Sequence, residues 1–382
     1  EKGQENSLIL LKNNYEELVE GNANDVFFEA AENFIKKAKN HESAFFVTIA
    51  TNNYDPSLIG SPDVAGRTSS TNLSDSIQNF DRNLGELTAL LKAQELANNT
   101  IVIILGDNGP ISSTNSYNKL KGGKGSVYEG GVRTPLLISW PDKIKQGSTV
   151  TNNVAAHIDI MPTILDACGY GVEEAFGFDG RSLLTQIESS ETKLDERAFV
   201  QQSHKGQKPS RGHHFMVRKG NWKLINPSDP QSYSAASKAY ELYDVVADPA
   251  ETKNLAADNK EKITELLSDY NNWFNDVTES RLRDSAPSYI LVDRAEENPL
   301  VLTWQDRLAK DWGYEFPGFW KLSFEHKGRC DIRVEFPANF KQDLSGWTAE
   351  LTLGKKSYSQ VLHSGEHHYV FPGVEFTKGR HH

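Results

Sequence analysis

Asp107 and Asn108 set a carboxylate and an amide oxygen side by side in the turn Gly106-Asp107-Asn108-Gly109-Pro110. Both are hard oxygen donors of the kind that calcium or magnesium takes. An Asp-Asn-Gly sequence also makes an ordinary turn, because Asp and Asn bond their own backbone and Gly accepts positive φ. Seventeen residues past Asp107, Lys124 lies in the stretch KGGKGSVYEGGVRTP that fills 121–135. Its paired glycines let backbone come close to a ligand, Lys121 and Lys124 carry positive charge, and Glu129 and Arg133 are spaced to brace the loop as an ion pair. Alone, that stretch also reads as a solvated basic loop. Taken together, the two stretches offer hard oxygen donors and an ammonium group 17 residues apart.

The elements that must position these residues follow from periodicity. Val26, Phe27, Ala30, Ala31, Phe34, Ile35 and Ala38 recur at helical spacing, and AFFVTIA at 44–50 is a short apolar run expected to be a buried strand. The unit repeats, with Ile77, Phe80, Leu84, Leu87 and Leu91 on a helix and TIVIIL at 100–105 as the strand that feeds the Asp-Asn-Gly turn. A third strand, PLLISW at 135–140, precedes HIDIMPTILDACG, a helix in which Asp159 is placed to cap, Pro162 to sit in the first turn and Gly169 to stop. Strands alternating with helices predict an α/β fold with a mainly parallel sheet covered by helices, and such sheets collect ligands at the carboxyl ends of their strands.

From about residue 198 the pattern changes to short strand-like pieces (AFVQQ, HHFMVRKGNWKLI, AYELYDV) and a helix marked by Ile263, Leu266, Leu267, Tyr270 and Phe274. Residues 1–197 are therefore assigned to the α/β domain, 198–277 to a small antiparallel subdomain with a closing helix, and 278–303 to a linker. Alternation around Cys330, Ile332 and Val334 and around Leu351 and Leu353 makes 304–382 an accessory β-sandwich.

In this order and spacing, the Asp-Asn-Gly turn and the Gly-Gly-Lys-Gly stretch resemble the formylglycine-dependent, arylsulfatase-like sulfatases of the alkaline-phosphatase-like superfamily. FDRNLGELTALLKAQELANNTIVIILGDNGP, HIDIMPTIL, Asp179-Gly180-Arg181-Ser182-Leu183, MVRKGNWKLI and ELYDVVADPAETKNLA resemble further landmarks of that family in their usual order. The resemblance covers roughly residues 25 to 275. It implies that Asp107 and Asn108 are ligands of one Ca2+, that Lys124 contacts the sulfate and steadies the departing ester oxygen, and that one of His204, His213 and His214, taken as His213, reaches substrate. Lys121 is assigned to the surface of the loop, and His157 to a structural role. The resemblance also implies a periplasmic or secreted protein, although residues 1–20 mix charge with leucines and do not form a signal peptide.

The family's nucleophile is a Cys or Ser in a Cys/Ser-x-Pro-Ser-Arg stretch, oxidised to formylglycine, and no such stretch occurs in these 382 residues. Lys208-Pro209-Ser210-Arg211 resembles its tail, but Gln207 stands where the cysteine would be. The family's first strand, with two calcium-binding aspartates, and its Gly-Lys-Trp-His stretch are not found either. The nucleophile and the remaining calcium ligands are expected in about a third of the catalytic domain preceding this chain. Where the family places a histidine to protonate the leaving group, TNNYDPSL at 51–58 offers Asp55, read here as a turn residue before Pro56.

A formal charge of −11 argues against a non-specific hold on nucleic acid or anionic lipid, and no apolar run approaches the ~20 residues of a membrane span. Cys168 and Cys330 form no disulfide or zinc framework and read as small buried apolar groups. The first functional reading is hydrolysis of a sulfate ester, with a sulfated carbohydrate or an aryl sulfate as partner and turnover only in a full-length protein. Trp304, Trp312, Trp320 and Trp347 are available to stack on sugars but more often serve as core. The alternative is a catalytically inactive sulfatase-like binding or scaffold protein. A phosphoester hydrolase of the same superfamily is weaker, since it calls for more Asp and His metal ligands. The oligomeric state stays open.

Overall fold

The computed structural model describes residues 7–12, 15–20, 22–51, 72–110, 119–151, 153–171, 177–203, 209–228, 239–280, 289–292, 299–302, 319–335, 343–363 and 368–381. Asp55, His204, Lys208, Trp304 and Trp312 lie outside them. Two units form, one from Glu1–His204 and Ser210–Phe274 and the other from Lys205–Pro209 and Asn275–His382.

The first unit opens with an antiparallel hairpin of β1 (Ser7–Lys12) and β2 (Tyr15–Glu20), where no element was expected. Helix α1 (Ala23–Asn40) follows, capped by Asn22, whose side chain accepts from the Asn24 amide at 2.9 Å. Asp25 in its first turn and Lys37 and Lys39 in its last complement the helix dipole. Phe28, Ala31, Ile35 and Ala38 form its buried stripe, and Phe28 and Ile35 pack against Leu87 and Leu91 of α2 (Asn72–Ala93). Beside this apolar contact, one oxygen of Asp25 accepts from Asn79 Nδ2 at 2.7 Å, Asn83 Nδ2 at 2.7 Å and Arg82 Nη2 at 2.8 Å. The residues 44–50 run extended, with Phe45, Val47 and Ile49 turned to the same core, but they make no ladder and Phe46 is 67% exposed. The expected buried strand is thus an extended segment without a strand partner among the described residues.

The strands β3 (Val102–Leu105) and β4 (Leu136–Ser139) pair antiparallel, Val102 opposite Ser139 and Leu105 opposite Leu136. This corrects the expectation of a mainly parallel sheet for the strands described. A parallel neighbour needs a crossover, usually a helix, and the described residues between β3 and β4 form loop plus the single turn α3 (Glu129–Val132). After β4 come α4 (Ile160–Ala167) and α5 (Leu184–Glu188). Asp159 precedes α4 but makes no side-chain cap; its buried carboxylate instead accepts from the amides of Ala156 at 2.8 Å and Arg181 at 2.9 Å and pairs with Arg197. Cys168, at the end of α4, is exposed and Cys330 half-buried, so the buried reading fails for Cys168.

Strands β5 (Ala198–Gln202), β6 (Phe215–Lys219), β7 (Trp222–Asn226) and β8 (Glu241–Asp244) form an antiparallel sheet in that order. Alternation sorts its side chains onto two covered faces. Phe215, Val217, Leu224 and Leu242 meet Leu266, Tyr270 and Phe274 of α6 (Lys260–Asn275), with Phe215 stacked on Tyr270 at 3.8 Å. Met216, Ile225 and Tyr243 face the other way, onto Val127, Tyr128 and Val132 of the lysine stretch.

The second unit holds β9 (Ile290–Val292), β10 (Leu322–Phe324), β11 (Gly328–Glu335), β12 (Thr348–Leu353), β13 (Lys356–Val361), β14 (His368–Phe376) and β15 (Gly379–His381). They form three small sheets around Phe324, Leu353, Phe371 and Val374. Residues 278–303 are not merely a linker, because β9 pairs in parallel with β10. Trp347 is 59% exposed and stands outside the core.

Candidate functional site

The Asp-Asn-Gly turn and the lysine stretch are neighbours held by backbone. The Lys124 amide donates to Pro110 O at 2.8 Å, the Gly109 amide to Gly131 O at 2.8 Å and the Gly106 amide to Pro135 O at 3.1 Å. A Cβ on Gly109 would sit 1.9 Å from Gly130 O, and one on Gly131 would sit 2.3 Å from Ser126 O. The glycines therefore serve first to let two chain segments touch, where the sequence suggested approach to a ligand. The ring of His157, exposed and at Nε2, lies 2.8 Å from Gly106 O, at the base of the same turn.

Asp107 is exposed and Asn108 half-buried. Asp107 Oδ1 accepts from the Asn108 amide at 2.8 Å, and Asn108 Nδ2 donates to Gly109 O at 2.8 Å, which keeps the amide oxygen for other partners. The donors fit calcium in kind. They fall short in number, since calcium takes six to eight oxygens and no cluster of three or more His, Cys, Asp or Glu suited to a metal occurs among the described residues.

Lys124 is exposed. Its stretch carries Lys121 and Arg133 as well, against the single acid Glu129, in a chain of net charge −11. Lys121, assigned to the loop's surface, keeps 38% of its side chain exposed and also has partners on the sheet. Its Nζ reaches Glu241 Oε2 at 3.2 Å and Tyr243 Oη at 2.9 Å, over the ring of Tyr128 at 4.1 Å. Tyr128 and Tyr243 also donate to Glu241 Oε2, at 2.9 and 2.5 Å. Burial works to raise the Glu241 carboxyl, but these hydrogen bonds outweigh it and hold it below the usual range. Both phenols are pushed up, by burial first and then by the Glu241 carboxylate.

Glu129 and Arg133 do pair, at 3.7 Å, but Glu129 has a nearer partner. Lys223, on β7 and 0% exposed, places Nζ 2.8 Å from Glu129 Oε1 and 3.0 Å from Glu251 Oε1. Glu251 Oε2 accepts from the Glu129 amide at 2.7 Å. Arg218 adds a cation 3.8 Å from Glu129. Burial raises the Glu251 carboxyl, with the Lys223 ammonium opposing it.

His213 is 1% exposed, so it offers substrate no surface in this conformation; its Nδ1 lies 3.3 Å from Ser228 Oγ. His214 is the residue that meets the lysine stretch, with Nε2 3.1 Å from Gly125 O and Nδ1 at Ser228 O. Both partners are carbonyl acceptors. Arg211 lies over the Phe274 ring at 4.4 Å and bonds Asn271, a packing role that fits the reading of 208–211 as a chance likeness. Sequence reasoning missed Lys223, Glu241 and Glu251, and it chose His213 over His214. The one visible signal was a lysine between Trp222 and Leu224-Ile225, inside an apolar strand.

Comparison with known proteins bears on the family of the chain. A sulfatase family model matches residues 3–170, and a model of the C-terminal region of N-sulphoglucosamine sulphohydrolase matches residues 123–277. The chain belongs to the sulfatases of the alkaline-phosphatase-like superfamily. Among its relatives are an N-acetylgalactosamine-6-O-sulfatase of Bacteroides thetaiotaomicron, 27% identical over 63% of this chain and 49% of the relative, and human arylsulfatase A, 29% identical over 59% and 47%. The chain thus spans about half the length of these curated relatives. Of solved structures, one from work on glycosaminoglycan metabolism by Bacteroides thetaiotaomicron is 26% identical, with a TM-score of 0.54 over 64% of this chain and 52% of that one. A Pseudoalteromonas sulfatase at 21% identity shares the fold, with a TM-score of 0.55 over 70% and 54%.

Proposed function

We propose that this chain supplies the sulfate-holding part of a sulfuric ester hydrolase that acts on a sulfated carbohydrate. The observation that carries the reading is the docking of the Lys124 stretch on the Asp107-Asn108 turn, backbone to backbone. Asp107 and Asn108 would supply two oxygens to a calcium ion, whose bound charge draws electron density from the ester oxygens. Lys124, exposed beside them, would pair with the sulfate and steady the growing charge on the departing oxygen. Relatives named as N-acetylgalactosamine-6-sulfatases and arylsulfatase A support sulfate esters as the substrate class and favour a sugar sulfate. We place the whole protein in the periplasm or outside the cell, as its family resemblance suggests.

The nucleophile is proposed to come from outside these residues, because no Cys/Ser-x-Pro-Ser-Arg stretch is present in them. That same fact supports the second reading, a sulfatase-like module that binds sulfated polymer without turnover. Calorimetry on this chain tests the shared part. Inorganic sulfate should bind, and Lys124→Ala should weaken it about 10- to 100-fold, the worth of a hydrogen bond to a charged group. Calcium affinity should fall with Asp107→Ala. Unchanged affinities in both variants would remove the reading. Sulfate release from a hexosamine 6-sulfate by a protein that joins this chain to a formylglycine-bearing segment would decide for the enzyme; binding without release would decide for the module.

A further inference from the structure

Lys223 has no role in the chemistry proposed above, yet it is the most enclosed charge of the four-stranded sheet, with 0% exposure. Burying an ammonium group and two carboxylates together is costly, and hydrophobic residues of similar size often serve stability as well or better. What such a cluster does supply is a single allowed register, since any displacement leaves a charge buried without its partner. The parts it joins are the turn α3 of the lysine stretch and the sheet. Glu129 opens α3 five residues after Lys124, Lys223 stands on β7, and Glu251 comes from the turn after β8. Glu251 is held at φ +55°, a conformation that L residues rarely adopt, and in it one oxygen meets the Glu129 amide while the other meets Lys223.

Two further pins act on the same stretch from the same sheet. Glu241 takes Lys121 and Tyr128, and His214 takes Gly125, the residue next to Lys124. Met216, Ile225 and Tyr243 fill the space between with an apolar contact to Val127. The sheet is thus the platform on which the sulfate-facing loop is set.

We propose that Lys223, with Glu251, is a positioning residue for Lys124, fixing the lysine stretch through the buried ion triad with Glu129. The link to sulfate rests on the function proposed above; the link to the loop does not.

Hydrogen exchange on the full chain separates the two. Lys223→Met keeps the length of the side chain and removes the charge. It should speed exchange of the Lys124, Gly130 and Gly131 amides about tenfold or more, while the paired amides of β6 and the amides of α6 keep their protection. Glu251→Gln, which leaves Lys223 and Glu129 as a balanced pair, should act in the same direction by less. If Lys223→Met does not fold, Glu251→Gln decides alone. Loop exchange that stays at the wild-type rate, or that rises equally throughout the sheet, overturns the proposal. In a parallel arm, inorganic sulfate affinity should fall in both variants as it does in Lys124→Ala. Sulfate binding that survives Lys124→Ala would sink the functional reading and leave the exchange result to judge the positioning role.

Discussion

Glu241 gathers three donors on one carboxylate oxygen, and their removal has a defined pH dependence. Its carboxyl is depressed in the folded state, so its stabilisation is fully present above the ordinary carboxylate value of about 4.3 and is lost as pH falls through the lower folded value. Glu251 is raised and has the opposite sign: as pH rises from about 4.3 through its folded value, the folded state is progressively disfavoured by that group. In acid denaturation followed by circular dichroism, Glu241→Gln should therefore flatten the loss of stability below about pH 4.3. A profile unchanged from wild type would separate the carboxylate from the loop's stability. Lys223→Ala, by contrast, leaves two buried carboxylates facing each other and should cost about 3–5 kcal/mol in urea denaturation. Asp107, Asn108 and Lys124 were singled out by residue type within short local motifs, and the fold sets their two segments side by side. Lys223 was not, because its partner Glu129 is 94 positions away and only the sheet brings them together.

At the scale of elements, α1 and α2 were legible from their 3.6-residue spacing, and Ala31, Ile35, Ala38, Leu87 and Leu91 of the expected stripes are buried. Ile77 and Phe34, counted into the apolar stripes, are exposed, and Asn79 and Asn83 take core positions because Asp25 binds them. Asp25→Ala removes the acceptor shared by those amides and Arg82, which keeps Glu86, and should destabilise the first unit by about 2–3 kcal/mol in denaturant melts, whereas Ile77→Ser should stay within about 0.5 kcal/mol. An Asp25→Ala cost no larger than that of Ile77→Ser would deny the polar lock. The direction of β4 was not legible, because apolar runs report burial and say nothing about pairing. Likewise Met216-Val217 and Leu224-Ile225 set apolar residues side by side because both faces of their sheet are covered, one by α6 and one by the lysine stretch. Gly131 shows how tightly the lysine stretch folds on itself. Gly131→Ala places a methyl group against Ser126 O and Gly123 O, and should release the Gly109 amide from its protection in hydrogen exchange.

Across the whole molecule, the contacts around Lys124 are drawn from one unit. The turn at 106–110, the stretch at 119–135, His157, His214, Lys223, Glu241 and Glu251 all belong to Glu1–His204 and Ser210–Phe274. The apolar clusters that support them contain no residue beyond Phe274, while the cluster around Phe324 and Phe371 contains none before Val292. The sequence placed a boundary after 277, close to where the units divide. It then missed β9 because three residues, Ile290–Val292, are too short a run for alternation to register. A chain ended after Ser280 should fold and keep sulfate and calcium affinity within about twofold of the full chain, because the described contacts around Lys124 all lie inside the first unit. Calorimetry on both chains, with circular dichroism to establish folding, makes the comparison. A shortened chain that folds but loses either affinity would mean that the second unit contributes to the site.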